Sequence, residues 1–509
     1  MANPTRKPTR LAALRLKYRG RFDAVMMIVY LLIVNVWALW AYPLGRDYAI
    51  LADPRGEAPG VCGAVIAYLA DAFGAWIAGY HLFNFALLYA CMLCIYRIVN
   101  CAIGGPWWLG TLAATLFMAN PVHTESVLNL TGSADLLPAL AVLLFMAAYT
   151  STIAKPAVFR LILSLVLFVV AVALFPQNCA LVIVVLLYEW LIVPAERRNL
   201  ARTFAFVLVG MAGIAMHANA LLQSLPEFPE RLASLYFLFY PIGYLPRTVA
   251  FFQANPWADW LVALIAVFLV ALVCRGARRP AILFGVLAMV AVRIAPGSGP
   301  LDPVHLIGGG QLLTANAFYA LALVALFFRI MGHPKWRFPM VTLTTGFAAV
   351  FLILQFSANL DWTRAGKKVK EFQQEVATRT AEEPGTIVGV APDWQSVGWA
   401  PMNLSDSIQF STPFSQPATH VSLLKLSAPD RKAYQVESDT DTPAVARFKF
   451  GTEHKEGFSH MGALETSEGY RLTQSESLEK AVRGVSARTL IVEIVPEGRE
   501  LPRIILPGN

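Results

Sequence analysis

Stretches of nearly twenty residues without a charge recur along the first 360 residues of this chain, and they dictate what it can fold into. In hydrocarbon every backbone N–H and C=O must be satisfied within the segment, so an apolar run of that length reads as a membrane-spanning helix. Eleven spans are read, at residues 24–44, 80–99, 106–120, 134–152, 157–175, 178–194, 203–222, 257–274, 280–295, 311–329 and 339–357. Composition agrees. Of 509 residues 57% are hydrophobic and only 15% charged, against about 25% charged in globular chains, and the mean hydropathy is +0.55. An ordinary soluble enzyme is excluded.

The net charge of +8 would suggest nucleic acid in a soluble protein, but its distribution argues otherwise. Residues 361–509 carry 17 Lys+Arg and 20 Asp+Glu, net −3, which leaves 24 basic and 13 acidic residues, net +11, in residues 1–360. The basic excess therefore belongs to the apolar part, where it reports topology, and no nucleic-acid partner is expected. Arg6, Lys7, Arg10, Arg15, Lys17, Arg19 and Arg21 all precede the first acidic residue, Asp23, so residues 1–23 form a basic cytoplasmic segment. The apolar stretch after it is too long for the core of a cleaved signal peptide.

Alternating from there, the cytoplasmic loops hold Arg97, then Lys155 and Arg160, then Arg197 and Arg198, then Arg275, Arg278 and Arg279, then Arg329, Lys335 and Arg337. Residues 235–252 are apolar enough for a twelfth span, but counting them would move the Arg275 to Arg279 cluster outside. Pro241, Gly243 and Pro246 would also break a spanning helix there, so this segment reads as non-crossing. Residues 61–76, which contain Asp71, read as a helix lying in the outer interface.

The expected fold is thus an α-helical polytopic membrane protein, with a transmembrane domain over 24–357 and an extracytoplasmic soluble domain over 358–509. That tail opens with an amphipathic helical stretch at 363–380. Strand-like runs follow at 386–391, 420–426, 446–450 and 489–495, with a helix at 475–482, a pattern that suggests an α/β or α+β domain. The expected location is a bacterial inner or plasma membrane. Six cysteines all lie in or beside apolar segments. Cys91 and Cys94 form a CxxC inside an apolar run with no second pair, which reads as packed thiols rather than a metal or redox site.

Ionisable residues at the outer face are the functional candidates, because charge is costly there. Asp47, at the exit of the first span, suits a general base, since partial desolvation would raise its pKa; the other reading is a solvated loop aspartate paired with Arg46. His123 and Glu125 lie two apart in Asn120-Pro121-Val122-His123-Thr124-Glu125-Ser126. In an extended loop they would share a side, and in a helix they would not. They either shape a site or bond loop backbone. Arg247, Arg293 and His305 suit an anionic headgroup or diphosphate, or else face lipid headgroups as snorkelling charges. The glycines at 308–310 lack the strand–loop–helix setting of a nucleotide loop, and no nucleotide, zinc or haem motif is present.

Three segments also carry a resemblance. Gly79-Tyr80-His81-Leu82-Phe83-Asn84, then Asn120 to Val127, then Gly132-Ser133-Ala134-Asp135-Leu136-Leu137 resemble in order and spacing the successive signatures of GT-C-fold glycosyltransferases. Among these the chain is most similar to the transmembrane O-mannosyltransferases with tetratricopeptide repeats and their bacterial relatives, although no such repeat is visible. The resemblance implies a multi-span enzyme that takes a sugar from a polyprenyl-phosphate donor at the outer leaflet and passes it to an acceptor hydroxyl or amide. It implies an acidic residue of the first outer loop as base, followed by an interfacial helix, places that Asp47 and residues 61–76 occupy; the reading then takes Arg46, Arg247 and His305 as candidate phosphate partners, with His123 and Glu125 shaping the site. It does not settle whether a divalent metal is used.

The chain departs from the family in three places. Arg46 stands where relatives have the first of two acidic residues. The Tyr-Arg-Pro stretch before the interfacial helix is missing, and Pro176-Gln177-Asn178 replace a Lys-Glu. A second expectation is therefore a catalytically inactive GT-C-fold scaffold or accessory subunit that meets protein partners through its outer domain. A transporter is a third, weakened by few mid-membrane charges and no evident inverted repeat.

Overall fold

The computed structural model describes residues 19–44, 46–58, 60–104, 106, 108–219, 231, 234–239, 279–293, 309–332 and 334–382, and nine strands between 387 and 505. Fourteen helices lie within them. They are α1 (Arg19–Asn35), α2 (Arg46–Ala52), α3 (Pro54–Glu57), α4 (Val61–Phe73), α5 (Ile77–Ile103), α6 (Trp108–Ala119), α7 (Thr124–Leu128), α8 (Ser133–Ala154), α9 (Val158–Leu174), α10 (Leu181–Leu191), α11 (Leu200–Met216), α12 (Arg279–Arg293), α13 (Leu313–Met331) and α14 (Pro334–Glu382).

Helical segments occur at every span read from the sequence except 257–274, which lies outside the described residues. Among the described residues five are long and apolar enough to cross a membrane: Phe22–Trp40, Ile77–Ile103, Ser133–Ala154, Gly309–Met331 and Pro334–Glu371. This is the make-up of an integral membrane protein. Six further apolar helices have 10–17 residues, below the roughly 20 that a bilayer core needs. The shortfall has a local cause at residues 178–194, where the expected helix starts as a 3₁₀ turn at Pro176–Ala180 before α10. Helix α4, 13 residues long, is about 20 Å end to end and too short to span.

The chain divides into two compact units. The first comprises residues up to Leu39, Gly60–Cys62 and Ala78–Asn359. Its core is a set of packed helix pairs: α8 with α9, α10 with α12, α12 with α13, and α13 with α6. An aromatic chain runs through it from Phe145 of α8 to Phe168 of α9 at 4.9 Å, to Phe206 of α11 at 5.3 Å, and to Tyr149 of α8 at 5.0 Å. It continues through Tyr188 of α10 and Phe284 of α12 to Phe318 of α13. These edge-on contacts suit the quadrupoles of the rings and fix helices that lipid alone would not drive together. Cys91 and Cys94 are buried free thiols on α5.

The second unit comprises Trp40–Pro59, Gly63–Ile77 and Leu360–Asn509. The apolar stretch at 339–357 and the amphipathic stretch at 363–380 form one unbroken 49-residue helix, α14, rather than two elements. After it come β1 (Ile387–Pro392), β2 (Gln395–Val397), β3 (Ala400–Met402), β4 (Val421–Leu426), β5 (Tyr434–Ser438), β6 (Val445–Phe450), β7 (Tyr470–Thr473), β8 (Thr489–Pro496) and β9 (Arg503–Ile505). Strand β1 pairs in parallel with β4 and β9, and β5-β6-β8-β7 form an antiparallel sheet. The helix read at 475–482 lies outside the described residues.

Candidate functional site

The three signature segments adjoin one another in the first unit, joined by side chains buried among apolar helices. Asn120 caps the turn Pro121–His123 by accepting from Val122 N at 3.1 Å, and helix α7 follows directly. The backbone is helical, not extended, so the shared-side reading of positions 123 and 125 does not apply. Asn84 of the first signature donates to Asn129 O at 2.8 Å, just past the second. Ser126 of the second donates to the Asp135 carboxylate of the third at 2.9 Å. Gly310 packs so close to that pair that a Cβ would collide with Ser126 Oγ and Asp135 Oδ2. This explains at least one of the glycines at 308–310 as a packing requirement.

A ladder of carboxamides holds the second signature in place. Thr124 donates to Gln355 at 3.1 Å; Gln355 donates to Asn359 at 3.2 Å; Asn359 donates to Asn35 Oδ1 at 3.2 Å and to Val34 O at 2.9 Å. Asn120 donates to Asn316, which in turn donates to Phe117 O. All of these groups are buried, where a satisfied network is rigid and a half-satisfied one is costly. Glu125 is 5% exposed, with Asn129 Nδ2 at 3.5 Å from its carboxylate.

Asp47 belongs to the second unit, in the first turn of α2, where the helix N-terminus favours a carboxylate. It is fully buried, which overturns the solvated-aspartate reading. Its neighbourhood is built by a bridge between residues far apart in the chain. Tyr42 donates to Gln373 Oε1 at 3.0 Å, and Gln373 Nε2 donates to the Tyr48 hydroxyl at 2.9 Å. Gly366 of α14 lies against Tyr42, where a Cβ would come within 2.7 Å of Tyr42 N. Lys370 sits 5.9 Å from the Tyr42 ring centroid. Burial, helped by Tyr42 and Asp47, holds the Tyr48 phenol well above its ordinary pKa despite the opposing Gln373 bond, so it stays neutral beside the carboxylate. Asp53 is a local cap, accepting from Gly56 N at 3.0 Å.

Arg293 ends α12, is 2% exposed, and donates through Nε to Ser234 Oγ at 2.6 Å. For Arg46 and His123 only the backbone is described, and Arg247 and His305 lie outside the described residues. Of the segment read as non-crossing, Ser234–Phe239 is a 3₁₀ helix and the remainder lies outside them. In the Pro176-Gln177-Asn178 stretch, Asn178 is buried and donates to Pro138 O and Ala171 O, both at 3.2 Å. Among the described residues no group of three or more His, Cys, Asp or Glu is placed to hold a metal ion. Tyr42, Tyr48, Gln373 and the amides at 35, 355 and 359 were not singled out from the sequence. The one signal for the amides is an uncharged polar residue inside or at the end of an apolar run.

These observations define a multi-helical membrane protein with a buried aspartate, Asp47, just beyond its first apolar helix. No family model and no curated protein sequence matches this chain. Among solved structures it is similar to the crystal structure of ArnT from Cupriavidus metallidurans bound to undecaprenyl phosphate. The identity is 13% and the TM-score 0.37, covering 81% of this chain and 95% of that one.

Proposed function

We propose that this protein is an outer-face membrane glycosyltransferase of the GT-C kind, moving a sugar from a polyprenyl-phosphate donor to an acceptor, with eleven crossings and residues 358–509 outside the membrane. The observation that carries the proposal is the burial of Asp47. Sequestering a carboxylate is costly, and a chain that needed Asp47 only for solubility would leave it in water. In the proposed reaction the Asp47 carboxylate takes the acceptor proton as the acceptor oxygen or nitrogen attacks the sugar anomeric carbon. The bond from that carbon to the donor phosphate oxygen breaks, and the phosphate leaves as an anion stabilised by outer-face cations, Arg293 among them. His123 and Glu125 shape the acceptor side, and Arg46, Arg247 and His305 add positive charge.

A second reading is favoured by Asn178. Where relatives keep a charged pair, this chain has a neutral amide tied to two backbone carbonyls, a structural tie with no charge to give to chemistry. On that reading the fold is an inactive scaffold that meets protein partners through its outer domain. Sugar transfer from a labelled polyprenyl-phosphate sugar by the purified protein separates the two. The enzyme reading expects transfer that Asp47→Asn lowers by at least about a hundredfold. Transfer unchanged by the substitution removes Asp47 from the mechanism, and no transfer from any donor supports the scaffold.

A further inference from the structure

The second half of α14 buries one face, made of Trp362, Ala365, Val369 and Gln373, and exposes Arg364, Lys367 and Lys368 on the other. Three of the four buried residues are apolar, as a packed helix face should be. The fourth is a carboxamide, whose burial is costly unless its oxygen and its NH₂ both find partners. Gln373 uses both ends on phenols: Oε1 accepts from Tyr42 at 3.0 Å, and Nε2 donates to the Tyr48 hydroxyl at 2.9 Å.

Those two tyrosines bracket Asp47 in the chain, one before it and one directly after. All three side chains are buried, and the Tyr48 phenol lies near enough to Asp47 to feel its charge. The turn that carries Asp47 is closed by its own backbone bond, from Asp47 N to Leu44 O at 3.0 Å. About two helical turns before Gln373, Gly366 packs on Tyr42 so closely that a Cβ there would lie 2.7 Å from Tyr42 N and 3.0 Å from Tyr42 O. Residues 42–48 are thus held to α14 at two heights, by backbone packing at Gly366 and by the amide of Gln373. For packing alone, leucine against two phenylalanines would serve as well; a satisfied amide between two hydroxyls adds direction.

We infer that Gln373 is a positioning residue for Asp47: by bonding the phenols on both sides of that carboxylate it fixes the turn that carries it and keeps water away. Its part in catalysis rests on the proposed role of Asp47 as base; the clamp itself does not. A general base gains twice from such a clamp. The carboxylate is held in the narrow geometry that proton transfer requires, and a carboxylate kept from water is a stronger base than a solvated one.

The test uses the purified full chain in phosphatidylcholine nanodiscs, treated with a water-soluble carbodiimide and glycine ethyl ester, which convert an accessible carboxyl to an amide read by peptide mass spectrometry. Asp23 and Glu189, buried carboxylates of the first unit, report general loosening, and Glu371, exposed on α14, reports the reagent. In wild-type protein Asp47 should label far more slowly than Glu371. Gln373→Leu removes both bonds and should raise Asp47 labelling on the order of tenfold, with Asp23 and Glu189 unchanged. Tyr42→Phe and Tyr48→Phe each remove one hydroxyl at nearly constant shape and should raise it roughly threefold; they carry the test should Gln373→Leu fail to fold. A rise at Asp23, Glu189 and Asp47 together, or none at Asp47 in any variant, overturns the inference. In the sugar-transfer assay Gln373→Leu should lower kcat on the order of tenfold and leave KM for the polyprenyl-phosphate donor within about twofold, because its side chain is taken up by the two phenols. An unchanged kcat where Asp47→Asn abolishes transfer overturns the positioning role. Selective unsealing of Asp47 in a protein that transfers no sugar keeps the clamp and drops the enzyme reading, and transfer that depends on Asp47 without selective unsealing does the reverse.

Discussion

Two buried charged clusters in the first unit are built on opposite principles. At the ends of α8, α10 and α11, Glu189 accepts from Tyr149 at 2.5 Å and from Arg202 at 2.6 and 3.0 Å, with Arg202 also 5.9 Å from the Tyr149 ring centroid. Arg198 secures the same corner by donating to Glu189 O, Val193 O and Trp190 O. Charge meets counter-charge, and three helices are fastened. At the end of α12, among the described residues, Arg293 donates through Nε to a serine hydroxyl and its Nη1 has no hydrogen-bond partner. A buried charge that carries its own partner is explained by the fold.

The largest expected effect tests the matched cluster. Glu189→Ala strands Arg202, which is 10% exposed, and should cost about 3–5 kcal/mol in reversible unfolding in detergent. A loss under about 1 kcal/mol would mean the pair fastens nothing and would collapse the contrast. An uncharged buried network should fall between the extremes. Asn359→Ala removes two donated bonds and leaves Val34 O and Asn35 Oδ1 short of a partner, costing about 1–3 kcal/mol by the same measurement.

Gly310→Ala probes crowding without charge. Its methyl would strike the Ser126–Asp135 pair, with an expected cost of about 1–3 kcal/mol and a shifted second signature seen as weaker protection of α7 in hydrogen exchange. The smallest stability effect is expected at the unmatched cluster. Arg293→Gln should change ligand-free stability by less than about 1 kcal/mol, or raise it, because it removes a like charge. A loss as large as that of Glu189→Ala would show that Arg293 is fastened to the chain after all.

Much of the helical architecture was legible in the sequence, because hydrocarbon length and the absence of charge act on each segment separately. Helical structure appears at the apolar runs from α1 to α14 within the described residues, and strands appear at the runs beginning near 386, 420, 446 and 489. Where reading along the chain erred, the cause was local geometry. Residues 121–128 were left open between loop and helix and wind as a 3₁₀ turn running into α7, because Asn120 caps them. The pair of elements at 339–357 and 363–380 is one helix, since nothing between them breaks the backbone.

The chemistry was less legible. The sequence nominated Asp47 from its place after the first apolar run, yet it could not say whether water or protein surrounds that carboxylate. That depends on Tyr42 and Tyr48 meeting Gln373 more than 300 positions away. The sequence by itself determined which segments shun water, where charge collects and which three signatures resemble a known family, because hydropathy and spacing are properties of neighbours along the chain. Only the tertiary structure decided that Glu189 has its arginine, that Arg293 donates to Ser234, and that Asp47 is sealed from solvent. Desolvation and pairing depend on which distant side chains share a few ångströms, and nothing local in the chain encodes that distance.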